Sequence, residues 1–202
     1  MISQMEFVRR VDVQAETIER YVREGKLAPD LVVPMSEHRT FKYFREETLK
    51  SCAAQYGWRL IDDSNRKALF LEMVRQMDMS YSYKPVLIKA ILQHADKKGR
   101  ARLDEIVAYF RAYYEARRAA GLPVEKPNSL FAKGGYTDRE ATRNILMNPF
   151  KRFEDMQMLR HTKTLGIIQV EETVWKPLTE AEKQEIQRIC EEKLAQYYAR
   201  LK

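Results

Sequence analysis

Residues able to do covalent or acid–base chemistry are thinly spread along this 202-residue chain. Its three histidines, His38, His94 and His161, lie in three separate segments, so a metal cluster or a histidine-centred acid–base pair would need unrelated elements to converge. The sequence has no Walker-type phosphate loop, no GxGxxG, no HExxH, no GxSxG and no CxxC pair. One carboxylate–lysine group, Glu171, Glu172 and Lys176 on a predicted second hairpin, has the composition of a metal-dependent nuclease site; a solvated strand face accounts for the same residues. No catalytic residue, metal or cofactor is expected.

The basic side chains carry more information. Lys and Arg number 36 against 29 Asp and Glu, a net charge of +7 with a pI near 9.3, which admits nucleic acid or an acidic surface as partner. Residues 1–63 sum to −1, residues 64–178 to +8 and residues 179–202 to 0, so the excess lies in the middle of the chain.

The elements that must position these charges are mostly helical. Gly and Pro number seven each, and apolar residues recur at helical spacing over long stretches, which predicts a mainly α fold with short β-hairpins. In the first part the pattern predicts helices over 4–10 and 15–24, a stop at Gly25, two short strands around Leu31, Val33 and Phe41, Tyr43, Phe44, and a helix over 46–56. The polar stretch 59–65 has no period and predicts a boundary between domains at 1–60 and 66–202.

In the second part helices are predicted over 66–79, from Pro85 to 95 and over 103–120, with a turn at 97–100. Thr137 with Glu140 and Thr179 with Glu182 are capping boxes that open two further helices. Pro149 interrupts the first of these, after which a helical pattern resumes to 160, followed by a strand pair at 167–171 and 173–175. On the last helix Ile186, Ile189, Cys190, Leu194, Tyr197 and Leu201 form an apolar stripe, which packs on the body or serves a homodimer or protein partner.

No run of eighteen apolar residues occurs, and the opening MISQMEFVRRVDVQAE is charged where an export signal needs an apolar stretch. No membrane partner is expected. Cys52 and Cys190 are far apart in helix-like sequence, which fits a reduced cytoplasm.

The segment Thr17–Leu27, TIERYVREGKL, is followed by Arg39, Phe41, Tyr43, Phe44 and the acidic helix start Glu46-Glu47. These residues resemble the MerR-like and excisionase-like winged helix-turn-helix families. The resemblance covers 1–57 and implies that 15–24 is a recognition helix placed in the major groove of DNA, with a hairpin wing carrying Arg39. It further implies that Thr17 and Ile18 fix the helix start, that Arg20 and Arg23 face the duplex or its phosphates, and that Tyr21 supports the core or touches the DNA backbone. Gln14, His38 and Lys42 join the expected contact set. Glu16 departs from the family pattern, which is often basic there; it and Glu19 could accept from cytosine but oppose phosphate. The competing expectation is that Arg20 and Arg23 pair with Glu16, Glu19 or Glu24 on a solvated helix.

The second part has the order of an elaborated winged helix. There 148–160 is predicted as a second recognition helix carrying Lys151, Arg152 and Arg160 over a buried stripe of Phe150, Phe153, Met156 and Leu159, with His161 and Lys163 leading into a wing. The competing expectation is a basic surface helix without nucleic acid. The loop 131–137 holds Lys133 and Gly134-Gly135 before a helix carrying Arg139 and Arg143, and could hold a phosphate or serve as a plain turn. The phrases MSYSYKPVLIKAIL and NPFKRFEDMQML are similar to accessory C-terminal regions of bacterial helicase and restriction proteins, which implies a DNA-handling or defence context and assigns no residues. The expected function is non-catalytic binding of double-stranded DNA, as a transcriptional regulator or a targeting factor. The alternatives are a protein-interaction adaptor and the nuclease above.

Overall fold

The computed structural model describes residues 1–36 and 39–201, and the chain divides into two compact units, Met1–Asp63 and Ser64–Lys202.

In the first unit β1 (Ile2–Ser3) leads into α1 (Gln4–Arg9), where Ser3 Oγ accepts the Glu6 amide at 3.1 Å. A six-residue helix is not stable alone; α1 is held by Phe7, fully buried with its ring 4.8 Å from that of Phe44. After a turn comes α2 (Ala15–Arg23), which buries Ile18 and leaves Glu16, Glu19, Arg20 and Arg23 exposed. Gly25, at φ +71, closes it, and the Lys26 and Leu27 amides both donate to the Tyr21 carbonyl.

The hairpin of β2 (Leu31–Ser36) and β3 (Arg39–Phe44) is antiparallel, and β1 pairs with the other edge of β3 to give the order β1-β3-β2. α3 (Glu46–Tyr56) follows and ends at Gly57, φ +67. The core is Phe7, Val11, Ile18, Leu27, Phe44, Leu49 and Cys52. The aperiodic stretch after α3 is fastened to this unit. Asp12 accepts both the amide and the Nε of Arg59, Ile61 donates to the Arg10 carbonyl, and Val11 bridges to Leu60.

The second unit runs α4 (Arg66–Gln76), α5 (Tyr83–His94), β4 (Arg100–Arg102), α6 (Leu103–Ala119), α7 (Leu130–Lys133) and α8 (Asp138–Ile145). α8 continues through a π-helical turn, Leu146–Phe150, into α9 (Lys151–Asp155). Then come β5 (Leu159–Thr162), β6 (Ile167–Val170), α10 (Glu172–Trp175) and α11 (Glu180–Arg200). The sheet is antiparallel in the order β4-β6-β5, with Ala101 opposite Ile168 and Leu159 opposite Val170. Phe131, on the short α7, anchors the core: it stacks on Tyr114 at 4.6 Å and meets Phe110 at 5.5 Å and Tyr83 at 5.3 Å.

Both capping boxes form, Thr137 with Glu140 and Thr179 with Glu182. α11 packs along α5 and α4, so Ile186, Cys190 and Leu194 are buried within the unit, and the surface expected of them for a homodimer or partner is taken up by the unit itself. Its end is tied down by a buried carboxylate. Glu125 accepts the amide and hydroxyl of Ser82, the Lys126 amide and the Tyr197 hydroxyl, while Tyr198 donates to Ser82 Oγ at 3.1 Å. Leu201 is half-buried.

Three sequence expectations are corrected. The helix predicted over 148–160 is a π-turn around Pro149, a short α9 and, from Leu159, a strand; Gln157 takes a left-handed φ of +53 and ends the helix. The second hairpin is therefore β5–β6, one strand earlier than predicted. The segment 173–175 is helical instead, with the Val174 and Trp175 amides donating to the Glu171 carbonyl.

Candidate nucleic-acid interface

On α2 the burial of Ile18 turns the charged residues outward. Gln14 is exposed at the N-cap, and Thr17 is half-buried with its amide on the Gln14 carbonyl at 3.0 Å. Neither Arg20 nor Arg23 forms an ion pair among the described residues. Glu24, one of their expected partners, is held by Lys26 at 2.7 Å, and the hydrogen bond from that lysine keeps its carboxyl below the usual range. The Arg20 guanidinium lies 5.6 Å from the centre of the Tyr21 ring. Tyr21 in turn packs on Tyr56 and Trp58 at 4.8 and 5.5 Å, a support for the back of the helix.

The hairpin beside it carries Arg39, 5.7 Å from the Phe41 ring centre, and a half-buried Lys42 opposite Val32. His38 lies outside the described residues. The resemblance puts a basic residue, Arg39, on this hairpin and implies nothing of its apolar surface: Leu31, Val32, Met35 and Phe41 are all exposed, at 48, 48, 61 and 40%. Alternation along the two strands was the available signal, since neither face of the ribbon is predominantly polar.

In the second unit the outward ridge is on α8 and the π-turn. Ala141, Ile145 and Phe150 face the core, which sends Arg139, Arg143 and Met147 to the opposite side at four-residue spacing. Arg139 and Arg143 are exposed and have no ion pair among the described residues; Lys133 and Lys163, on the end of α7 and the β5–β6 turn, are exposed in the same state. The residues given most weight by the sequence are less available. Lys151 is held by Asp155 at 2.7 Å and Glu154 at 3.2 Å, and the pair with Asp155 first of all raises its ammonium pKa. Arg152 is half-buried, and Arg160 stands on β5, 3.9 Å from Glu171.

The glycine loop before α8 is filled by its own chain. Arg118 donates to the carbonyls of Phe131 and Ala132 at 2.8 and 3.4 Å and stands against Gly134, while Thr137 Oγ1 takes the Glu140 amide. A phosphate there would have to displace both. A cleft of about 810 Å³ lies between α6, the start of α8 and the β5–β6 turn, and its arginines, Arg102 and Arg111, are already paired with Asp104 and Asp138.

The nuclease candidates are not on a hairpin. Glu171 precedes α10 and Glu172 and Lys176 sit on and just after it, 3.8 Å apart. Among the described residues no group of three or more His, Cys, Asp or Glu is placed to hold a metal ion. His94 and His161 pack edge-on against Tyr109 and Phe150 at 6.0 and 6.1 Å. Among the described residues no helix is long and apolar enough to cross a membrane. Compared with protein-family models, with curated proteins and with solved structures, the chain has no match.

Proposed function

We propose that the protein binds double-stranded DNA without chemistry, through a winged helix-turn-helix in each unit, as a transcriptional regulator or as a factor that targets a larger machine to DNA. The observation that carries this reading is a repeated one. In each unit a helix that precedes an antiparallel hairpin, directly in the first and by way of the π-turn and α9 in the second, presents arginines that the chain leaves without carboxylate partners among the described residues, Arg20 and Arg23 on α2 and Arg139 and Arg143 on α8. A helix of this kind fits the major groove while the hairpin reaches an adjacent groove or the backbone. The first unit, with mixed charge on α2, supplies base contacts; the second, with the basic excess, supplies phosphate contacts.

The test is fluorescence anisotropy of the purified protein on a pool of random duplexes, with matched RNA, across a salt series. Six to eight phosphate contacts weaken binding by roughly 10³-fold or more between 50 and 200 mM salt. Arg20→Ala with Arg23→Ala lowers discrimination between sequences more than it lowers overall affinity, whereas Arg139→Ala with Arg143→Ala weakens all sequences. A flat salt response, or a preference for RNA over duplex DNA, removes this reading.

A further inference from the structure

Met147 stands at the surface of its own unit. It is 65% exposed, on the π-turn that extends α8, with Arg143 one turn before it and Lys151 one turn after. Single exposed apolar side chains are ordinary on a protein surface. This one is different in its setting, because it is the apolar member of a ridge whose other outward residues, Arg139 and Arg143, have no carboxylate partners among the described residues. The π-turn contributes to that setting. Pro149 withholds a donor from the helix, the Asn148 side-chain Nδ2 donates to the Asn144 carbonyl at 2.9 Å, and the backbone is carried past the proline with Pro149 and Phe150 buried and Met147 outward.

The major-groove edge of DNA offers one apolar feature, the 5-methyl group of thymine, beside the acceptors of guanine that suit arginine. A flexible, polarisable thioether side chain between arginines matches such an edge. We infer that Met147 reads a thymine methyl in the major groove while Arg139 and Arg143 hold the flanking phosphates, so that the second unit contributes sequence discrimination as well as phosphate attraction. The inference rests on the DNA-binding reading above and assigns a specificity-determining residue to it.

The experiment uses the full chain. Preferred sequences are selected from the random duplex pool with the unaltered protein, and the selected duplex is synthesised with each thymine in turn replaced by uracil, which lacks the methyl group alone. At one position the unaltered protein binds thymine about fourfold more tightly than uracil, the factor that burying a single methyl group supplies. Met147→Ala binds the two duplexes alike, at the uracil affinity, and Met147→Leu retains the preference. Arg143→Ala weakens both duplexes and keeps their ratio. Thermal melting of each variant alone establishes that it folds as the parent does.

A selected site without thymine, equal binding of thymine and uracil at every position, or a preference that survives Met147→Ala overturns the assignment while leaving DNA binding in place. Absence of binding to any duplex removes the DNA reading itself, and this one with it.

Discussion

Gly99, between α5 and β4, is where a single added carbon tests the packing of the second unit. Its φ is +73, and a Cβ there would stand 2.6 Å from Cγ of Trp175 and 3.0 Å from Cδ1 and Cδ2. These are the root atoms of the indole, which is 7% exposed and has the Lys183 ammonium 4.7 Å from the ring centre. The backbone has no freedom to yield either, because the Gly99 carbonyl accepts the Val170 amide at 2.9 Å. A left-handed residue with a Cβ costs about 1–2 kcal/mol, and forced repacking about 1–3 kcal/mol more, so Gly99→Ala destabilises by roughly 2–5 kcal/mol.

Gly121 separates the two contributions. It has φ +67 with nothing within 4 Å of the place an added methyl would occupy, so Gly121→Ala carries the backbone cost alone, about 1–2 kcal/mol. Urea unfolding in a Trp58→Phe background lets Trp175 report its own unit. With a slope of about 2 kcal/mol per molar, the midpoint falls by roughly 1–2.5 M for Gly99→Ala and by roughly 0.5–1 M for Gly121→Ala. Equal midpoints for the two variants would refute the reasoning.

Three further substitutions probe the ends of α11. Glu182 is held at about 2, from an ordinary 4.5, first by its hydrogen bond with Lys67 and then by the Thr179 amide and hydroxyl. A depressed carboxyl adds stability that is fully present above pH 4.5 and is lost as pH falls toward 2. Glu182→Gln therefore flattens the acid limb of stability measured by urea unfolding at stepped pH, and an unchanged limb counts against the pairing. At the other end, Glu125→Ala leaves the Ser82, Lys126 and Tyr197 donors without their acceptor and costs about 3 kcal/mol or more, whereas Tyr197→Phe removes one donor and costs about 1 kcal/mol. Equal losses in chemical unfolding would show that the carboxylate is not the hub of this network.

The helices were legible where period and chemistry agreed. α3 and the openings of α8 and α11 follow from apolar spacing and capping residues, because those signals act within a few residues of the atoms they satisfy. The first hairpin was legible for the same reason. β1 and β4, of two and three residues, are too short for any alternation to register and exist through their partners, Phe44 and Tyr43 in one sheet and Ile167, Ile168 and Gln169 in the other. The stretch after Pro149 misled because Phe150, Phe153, Met156 and Leu159 keep helical spacing and are all buried, yet Leu159 is buried by pairing across from Val170. The break between them rests on Gln157 in a left-handed conformation, which a non-glycine residue does not announce in sequence. Thr173, Val174 and Trp175 favour strands by type, and packing of a single helical turn overrides that preference.

For the candidate site, residue type was legible and availability was only partly so. Lys151 precedes Glu154 and Asp155 by three and four positions on one helix, so its neutralisation could have been read from spacing. The pairing of Arg160 with Glu171 joins β5 to the start of α10 and depends on the tertiary fold. On α2 spacing offered Glu16, Glu19 and Glu24 to Arg20 and Arg23 as the competing expectation, and Lys26 holds Glu24 at 2.7 Å instead. Net charge sets the sign of long-range attraction, but a cation already matched by its own chain must exchange one anion for another to bind phosphate. The groups that gain most from a duplex are therefore the unmatched ones, and the weight of the candidate interface in the second unit moves from α9 and β5 to Arg139 and Arg143 on α8.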